Sequence, residues 1–373
     1  MTLRNKLAAS VAALGFGSTM AVAEGLERVN LDTSFMYETG TYAELSYGFV
    51  NPSIPAEWTG GNSDNVAGSF AVVNVAAKTK IGDRIDVGLW RTNNSSGVSL
   101  DWGPTFPVKA ELTSSALVGL IKYQISENFA VMGGIKQVRS DSGASVTTSL
   151  GTSLGLATYT IGSGNASVGV YGISYERPEI ALRVELLAES EGEMAITDTR
   201  YSLAGGTAAG GLLNGDHTGT SKIGVGDALT LKFQTGIAPN TLLFGSIRNS
   251  KWANNQVQAP TPALAGVGPV TLSTFGDGQS YTLGVGRKLS ETVSGSLSVF
   301  SDPASDCDNV SALAPTCENT AINLGAKVAL AENMNLSLGT TWSRRGKATV
   351  GSFGATTNKS VVTSIGAKLS VKF

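Results

Sequence analysis

Few residues of this 373-residue chain could perform catalytic chemistry. A hydrolase needs a nucleophile, a base and a group that orients the base. The only histidine that could act as a base is His217, in the glycine-rich segment NGDHTGT beside Asp216, and this setting favours a solvated loop histidine. Asp306 and Asp308 could bind a surface cation, although a solvated pair of charges fits them better. We therefore predict that the protein is not an enzyme and has no catalytic residues, metal site or cofactor.

The two cysteines indicate a covalent crosslink rather than a metal site. Cys307 and Cys317 stand ten residues apart in CDNVSALAPTC, and the only histidine is far away in the sequence. A disulfide between them would close a small loop and stabilise it by about 2 to 3 kcal/mol. Such bonds persist outside the cytoplasm, so the prediction depends on export of the chain.

The first residues of the chain indicate that export. Arg4 and Lys6 precede the apolar run 7–16, and the small residues 21–23 supply a cleavage site before Glu24. This order is typical of a secretory signal peptide, and the apolar run is well short of the ~20 residues of a membrane-spanning helix. Residues 1–23 are therefore predicted to be a signal peptide, and the mature chain to begin near Glu24.

Composition excludes several classes of protein. The chain has 46 glycines and only 15% charged residues, which fits neither a helical soluble enzyme nor a disordered chain. After the predicted signal, no stretch keeps ~20 apolar residues together, so no transmembrane helix is predicted. The net charge is −2 and there is no basic stripe, which argues against nucleic acid as a partner.

Six short polar turns divide the rest of the sequence into hairpins. Each turn is flanked by segments of about ten alternating residues, the length of a tilted membrane strand. One further strand before the first hairpin and one after the last give fourteen. Residues 41–373 are therefore predicted to form an all-β transmembrane antiparallel barrel of about 14 strands, with short periplasmic turns and long extracellular loops. The turns are IGDR (81–84), SEN (126–128), RPE (177–179), IAPN (237–240), SET (290–292) and AEN (331–333).

The last strand has two different faces. Ile365 and Leu369 lie on an apolar face, whereas Ser364 and Lys368 lie on the other. The apolar face would be the core of a soluble sandwich but would meet lipid in a membrane barrel, and alternation alone leaves both open. Aromatic residues favour the membrane, because they fall near both ends of the strands, as interfacial girdles do. The expected outer set is Trp90, Trp252 and Trp342, and the expected inner set is Tyr123, Phe129, Tyr175, Phe233 and Phe373.

The same parity predicts what lies in the lumen. A cation there could meet a substrate carboxylate, although ion pairing across the lumen wall is the favoured role. The polar lumen residues are Arg183, Glu185, Lys232 and Arg248. Residues 24–40, which precede the first predicted strand, are expected to form a short luminal segment. Its apolar residues should pack inside the lumen, namely Leu26, Val29, Leu31, Phe35 and Met36.

Two of the long loops carry apolar residues where water alone would favour polar ones. Apolar residues on the outer surface are candidates for capturing lipid-like substrates. Alternatively the loops fold over one another and bury these side chains as a lid, and both interpretations can hold together. The candidate substrate-binding residues are Leu203, Leu212, Leu213, Leu264, Val267 and Phe275.

Four segments of the sequence resemble the long-chain fatty acid transport proteins of the outer membrane, the FadL type, which includes TodX-like transporters of hydrophobic compounds. The resemblance implies a fourteen-stranded barrel that captures hydrophobic molecules on outer loops and passes them through the wall or the lumen. The terminal Phe373 also resembles the outer-membrane assembly signal. One departure is that the family's longer plug is absent or shortened here, since only residues 24–40 precede the first strand. The resemblance thus implies that residues 24–40 are a reduced plug. The segments are ERPEIALRVELL (176–187), DALTLKFQTGIAPNTLLFGSIRNSKW (227–252), SYTLGVGRKLSETVSGSLSVF (280–300) and NLGAKVALAENMNLSLGTTWSRRG (323–346).

We therefore predict transport of hydrophobic compounds, such as long-chain fatty acids, across the bacterial outer membrane by passive diffusion through the barrel. The expected partners are hydrophobic small molecules, outer-membrane lipid and lipopolysaccharide, and the barrel is expected to be a monomer. A general diffusion porin and an outer-membrane lipid-modifying enzyme are the alternatives. The apolar loop residues argue against the porin, and the absence of a nucleophile motif argues against the enzyme. The sequence leaves the particular substrate open.

Overall fold

The wall of the molecule is built from strands that alternate apolar and polar residues. The structure is a computed structural model that describes residues 25–103, 106, 108–141, 143–263, 266, 268–303, 306–351 and 354–373. The predicted signal peptide, Leu264 and Val267 lie outside these ranges. Among the described residues, no helix is long and apolar enough to cross a membrane.

Fourteen long strands in the described part of the chain form one antiparallel sheet, in which each strand pairs with the next. They are β1 Tyr42–Ser53, β2 Phe70–Ile81, β3 Ile85–Asp101, β4 Lys109–Gln124, β5 Phe129–Ser140, β6 Gly164–Arg177, β7 Leu182–Glu189, β8 Asp227–Ala238, β9 Thr241–Lys251, β10 Gly278–Lys288, β11 Val293–Asp302, β12 Cys317–Ala331, β13 Met334–Gly346 and β14 Ser360–Lys372.

The sheet closes because the last strand pairs with the first. β14 runs antiparallel to β1 from the pair Tyr42 and Lys372 to the pair Ser53 and Val361, and β1 pairs with β2 on its other side. Closure leaves neither β1 nor β14 as a free edge of the sheet, as a bilayer requires. The prediction of an all-β transmembrane barrel of about 14 strands is confirmed.

Short turns join the strands at one end of the barrel. All six predicted turns are present, and the one between β6 and β7 contains the 3-10 helix Pro178–Ile180. Gly82 and Asn240 hold φ angles of 63° and 62° in two of these turns. Glycine and asparagine tolerate this left-handed region best, so these turn residues fix the hairpins locally.

A belt of apolar side chains surrounds the outside of the barrel. Ile365 of β14 is 64% exposed, whereas its neighbour Ser364 is buried against the interior. Because large apolar side chains face outward on every strand, the outer face meets lipid and is not the core of a soluble sandwich. One exposed apolar residue from each strand in order is Leu45, Val75, Leu89, Ile121, Ile135, Ile173, Leu186, Leu229, Ile247, Leu283, Leu297, Leu324, Leu338 and Ile365.

Two of the three tryptophans predicted for the outer interface do not lie there. Trp342 is exposed on the lipid side, but Trp90 is only 2% exposed and Trp252 is also buried. The prediction for Trp90 was wrong because its neighbour Leu89 takes the outward position, and alternation then turns the indole into the lumen. Trp252 follows the end of β9 and packs edge-on against Phe275, with ring centroids 5.9 Å apart.

The long connections at the other end fold into short strands of their own. Six of these strands extend the barrel sheet, and four form a separate small sheet. The outer end is therefore covered by a folded layer rather than by open loops. The extending strands are Ala144–Ser149, Gly155–Ile161, Gly192–Gly205, Gly215–Val225, Val257–Ala259 and Val270–Thr271. The separate sheet contains Ala56–Trp58, Gly61–Ser63, Ala348–Val350 and Ala355–Thr357. The other short helices of the described chain are Ser34–Tyr37, Gly151–Leu154 and Ala208–Gly211.

Candidate functional site

The N-terminal segment, residues 25–41, runs inside the ring of strands. The backbone N–H groups of Arg28 and Val29 both donate to the Ser95 carbonyl, at 2.9 and 3.1 Å, and the Gly97 N–H donates to the Leu26 carbonyl at 2.7 Å. The segment thus lies along the inner side of β3. All five of its apolar residues named from the sequence are buried in one cluster with inward-facing side chains of β4 to β6.

Close packing against β3 depends on a glycine. A Cβ atom at Gly88 would lie 2.2 Å from the Met36 sulfur and 2.7 Å from the Phe35 ring. Any larger residue at position 88 would therefore push these two side chains away from the wall. The N-terminal segment thus fills the apolar half of the lumen, and its side chains lie against the backbone of β3.

Arg248 of β9 connects this segment to the barrel wall. Its Nη2 donates to both carboxylate oxygens of Glu27, at 2.7 and 2.8 Å, and its Nη1 donates to Glu189 at 3.1 Å and to Thr230 at 2.9 Å. Glu189 also accepts from Lys136 at 2.8 Å. Hydrogen bonds between ionised partners are shorter and stronger than those between neutral groups. Glu27 is held at this position by one buried arginine.

Glu185 of β7 makes a second connection. The hydroxyls of Thr33 and Tyr37 donate to its two oxygens, both at 2.5 Å, and the Lys232 ammonium lies 3.4 Å away. Lys232 donates to Thr33 at 3.0 Å, and Arg183 lies over the Tyr37 ring at 4.3 Å. The four polar lumen residues named from the sequence therefore all contact the N-terminal segment. The three ion pairs of Lys232 and Arg248 with glutamates join this segment, β7, β8 and β9 to one another.

Three cavities follow the course of the N-terminal segment. The largest, about 210 Å³, lies between this segment and a wall of β8 to β13 that is rich in serine, threonine and asparagine. A second cavity of about 70 Å³ lies beside Trp90, and a third of about 90 Å³ lies under the outer layer. Asn30 and Asp32 line the first and second, and Arg28 lines the second and third. The segment therefore separates three small spaces in the lumen.

The barrel wall changes between β2 and β3. The two strands pair from Ile81 and Ile85 up to Asn74 and Thr92, and beyond this point the register of β3 with β4 shifts. Two asparagine side chains replace the backbone ladder there. The Val73 N–H donates to Asn93 Oδ1 at 2.7 Å, and Asn94 Nδ2 donates to the Ala71 carbonyl at 3.1 Å. Bulges of this kind bend a strand and locally end its pairing.

Solved structures show which barrels have this architecture, although no family model and no curated protein matches the sequence. A Pseudomonas aeruginosa FadL homologue superposes with a TM-score of 0.77 at 14% identity, over 96% of this chain and 98% of that one. The toluene transporters TodX of Pseudomonas putida and TbuX of Ralstonia pickettii give TM-scores of 0.67 and 0.63, at 11% and 12% identity. They cover 96% and 97% of this chain, and 98% and 100% of their own. The chain has the FadL fold.

The resemblance seen in the sequence is confirmed at the level of the fold. Several residues that hold its interior were not found from the sequence. Glu27, Arg28 and Glu189 lie in stretches without a motif. The polar run NNSS within β3 (93–96) is the one local signal that could have indicated the bulge, because it interrupts the alternation of a 17-residue strand.

The apolar loop residues of this barrel divide into two groups. Leu203, Leu213 and Phe275 are buried within the outer layer, whereas Leu212 is 84% exposed. Leu264 and Val267, the other two candidates, lie outside the described residues. Burial of three of the six favours the lid interpretation for those residues and leaves Leu212 as the described candidate that a substrate can reach from outside.

Replacing Leu203 with serine is expected to loosen the outer hairpin formed by Gly192–Gly205 and Gly215–Val225. Loss of a buried leucine typically costs about 2 to 5 kcal/mol, and the serine hydroxyl adds a buried polar group. Limited proteolysis of intact cells should cut the L203S hairpin faster than the wild-type hairpin. L212S is the matched control, because its side chain is exposed, and equal resistance of L203S and L212S would contradict the buried placement.

The remaining sequence candidates lie at the outer end. Cys307 and Cys317 are joined by a disulfide, with their Cα atoms 5.4 Å apart. His217 stacks on Tyr201 at 5.2 Å between ring centroids, and its Nε2 lies 2.8 Å from the Leu213 carbonyl. The histidine thus takes part in packing of the outer hairpin. Asp306 accepts a hydrogen bond from the Asp308 backbone N–H at 2.9 Å, which is a local turn contact.

Proposed function

We propose that this protein carries hydrophobic small molecules across the outer membrane by passive diffusion through its barrel. The proposal rests on two observations taken together. The N-terminal segment divides the lumen into small cavities, and the backbone pairing between β2 and β3 ends part-way along the wall. One small cavity lies under the outer layer and another beside Trp90. Val72 and Asn74 line the second, and they flank Val73, whose backbone N–H donates to the Asn93 side chain of β3. A hydrophobic molecule that leaves there enters the bilayer directly.

The charged part of the lumen near the short turns favours an exit through the barrel wall. Its side chains form ion pairs between Lys78 and Asp86 at 2.6 Å, and between Lys372 and Glu38 at 2.6 Å. Lys368 and Glu44 form another at 3.2 Å. An apolar solute gains nothing from crossing such a charged region, whereas lipid offers it a favourable solvent.

The filled lumen argues against a general diffusion porin. A porin of 16 to 18 strands keeps an open aqueous channel, whereas the N-terminal segment here occupies the lumen and the cavity between it and the wall of β8 to β13 is only about 210 Å³. We propose that this segment acts as a reduced plug. The outer-membrane enzyme is disfavoured because His217, the histidine that it would need, stacks on Tyr201 and contacts the Leu213 carbonyl through its Nε2.

The names of the structural neighbours support the hydrophobic substrate class. TodX and TbuX are toluene transporters, and a further neighbour, CymD, is a monoaromatic hydrocarbon channel. The continuous apolar belt fits a monomer surrounded by outer-membrane lipid and lipopolysaccharide, since no strand of the described barrel lacks a lipid-facing side chain. Fatty acids and aromatic hydrocarbons are both within the proposed class.

Uptake by cells with and without the protein tests the proposal. A panel of labelled toluene, a long-chain fatty acid and a small sugar should show faster uptake of the hydrophobic compounds only. A porin would instead speed the sugar. Equal uptake of toluene and fatty acid by both cell types, with the barrel present and heat-modifiable in the membrane, would overturn the proposed function.

A further inference from the structure

Arg91 of β3 carries a charge on the lipid-facing side of the barrel wall. Its neighbour Leu89 is 56% exposed and Trp90 is buried in the lumen, so alternation along the strand turns Arg91 outward, where its side chain is exposed. It pairs with Val75 of β2 and with Leu117 of β4, two apolar residues of the belt that are each 47% exposed. Arg91 therefore lies within the apolar belt rather than above it.

The depth of Arg91 in the membrane follows from strand geometry. Arg91 is the sixth residue after Ile85, where β3 begins at the end of the barrel with the short turns. With a rise of about 3.3 Å per residue and a tilt of about 40°, it lies roughly 15 Å above that end, within a belt about 25 Å tall. Arg139 of β5 is exposed on the same outer side, ten residues after Phe129, and the same geometry places it roughly 25 Å up, at the outer boundary of the belt. Both arginines thus lie in the outer half of the wall.

Neither arginine has a carboxylate partner among the described residues. These residues place no carboxylate oxygen within 4.0 Å of either guanidinium, and the exposed acidic residues Glu111 and Asp141 lie higher on the same part of the wall. Between the two boundaries of the belt, the other lipid-facing positions of the described strands carry uncharged side chains. A charged side chain at bilayer depth is costly, so such residues are rare and mark functional positions with a definite partner. The exception at Arg91 therefore points to an anionic partner from the membrane.

Uncharged polar side chains lie between the two arginines on the outer surface. Asn93 of β3 is exposed two residues above Arg91, and Ser115 of β4 pairs with Arg139. The Cα atoms of Arg91 and Arg139 are about 12 Å apart, because two strand spacings and two residues along the strand separate them. Long arginine side chains reach upward from within a membrane toward the headgroups. The geometry leaves room for one anionic group between the two guanidinium groups.

We propose that Arg91 and Arg139 bind a phosphate group of lipid A, the membrane anchor of lipopolysaccharide, on the outer surface of β3 to β5. The inference rests on the outer-membrane location in the proposed function and goes beyond it, because it assigns a specific lipid contact to the wall. Lipid A carries its phosphates where acyl chains meet sugars, which is the level of Arg139. The planar guanidinium fork matches two phosphate oxygens with parallel N–H donors.

The position of the site on the wall favours lipopolysaccharide over phospholipid. The outer half of the wall faces the outer leaflet, because the short turns are on the periplasmic side. Arg91 pairs with Val75 directly below Asn74 and Thr92, the pair at which the ladder between β2 and β3 ends. A lipid A molecule bound there therefore lies beside the interrupted part of the wall.

Native mass spectrometry of the purified full-length barrel in detergent, titrated with lipid A, tests the site. The variant R91Q/R139Q should bind lipid A about tenfold more weakly than the wild type, because it loses the charge-assisted hydrogen bonds to phosphate. It should assemble normally, since it removes charge from a lipid-facing wall where charge is unfavourable. The matched control is R177Q/R287Q, because Arg177 and Arg287 are exposed at the short-turn ends of β6 and β10. Its affinity should stay within about twofold of wild type, because distant substitutions leave the contacts of the site intact. Lipid A without its phosphates should bind all three proteins equally weakly.

The site is overturned if R91Q/R139Q binds lipid A as tightly as the wild type, or if R177Q/R287Q is weakened equally. It is also overturned if the wild type does not bind lipid A, or binds the dephosphorylated lipid or phosphatidylglycerol equally well. If R91Q/R139Q does not assemble, R91Q and R139Q are each compared with R287Q by the same criteria. Toluene uptake by cells separates the two proposals. Uptake by wild-type cells without phosphate-dependent lipid A binding contradicts only the lipid site, whereas such binding without toluene uptake contradicts only the proposed transport.

Discussion

Replacing Arg248 with methionine is expected to destabilise the folded barrel by roughly 3 to 5 kcal/mol, the usual effect of removing one partner of a buried ion pair. Glu189 keeps Lys136 as a partner at 2.8 Å, so the main loss falls on Glu27, whose two oxygens both accept from Arg248. An unpaired carboxylate in the lumen would draw water, and the N-terminal segment would leave its place. The change in the free energy of unfolding is measured by unfolding the barrel in detergent, with heat-modifiable migration as the readout.

Two variants make this result specific. The double variant E27Q/R248M removes the isolated charge and should recover a large part of the lost stability, because a neutral amide costs less to bury than a carboxylate. R344M changes the same residue types at an exposed site, where Arg344 lies over Trp342 at 4.5 Å, and should leave stability nearly unchanged. If R248M were as stable as R344M, the contact with Glu27 would not hold the segment.

Deleting residues 25–37, with the signal peptide kept, is expected to raise single-channel conductance in planar bilayers several-fold. The segment contributes the buried Leu26, Phe35 and Met36 to the lumen, and its removal joins three spaces that it now separates. A lumen of fourteen strands is wider than one that side chains alone can fill. Ions should then pass through the lumen of the deletion variant, whereas the filled lumen of the wild type excludes them.

The matched control for the deletion is a barrel shortened by residues 207–212, the exposed tip of the outer hairpin around Ala208–Gly211. This variant loses chain outside the lumen, so its conductance should equal that of the wild type. Unchanged conductance in the N-terminal deletion, with normal assembly, would mean that the folded outer layer closes the lumen. A rise in both variants would point to general loosening of the barrel.

The strands and turns were predictable because their signals are local. Alternation with period two and the six polar turns fixed the strand number and the inward direction of Arg183, Glu185, Lys232 and Arg248. The same rule, applied residue by residue, would also have placed Trp90 in the lumen. Its height along β3 suggested an interfacial girdle, but parity with Leu89 decides the direction of the side chain.

The interior contacts were not predictable because they join residues distant in sequence. Glu27 meets Arg248 across 221 positions, and Thr33 meets Glu185 across 152, so no short-range pattern records either pair. The structure of the outer layer was not predicted for another reason. Leu203 and Leu213 were interpreted as loop residues, whereas the chain around them folds into a hairpin that buries both side chains. Apolar content alone does not distinguish a capture surface from a packed lid.

Closure of the barrel through β1 and β14 has a kinetic consequence. These strands are the first and last of the sheet, and their twelve paired positions join the most distant parts of the described chain. Loop closure over such a separation is slow, because its entropy is lost before any of the ladder forms. Until β14 arrives, β1 and β13 present two unpaired edges that can capture strands of other chains. A truncation within Ser360–Lys372 should therefore aggregate during assembly rather than yield a narrower barrel.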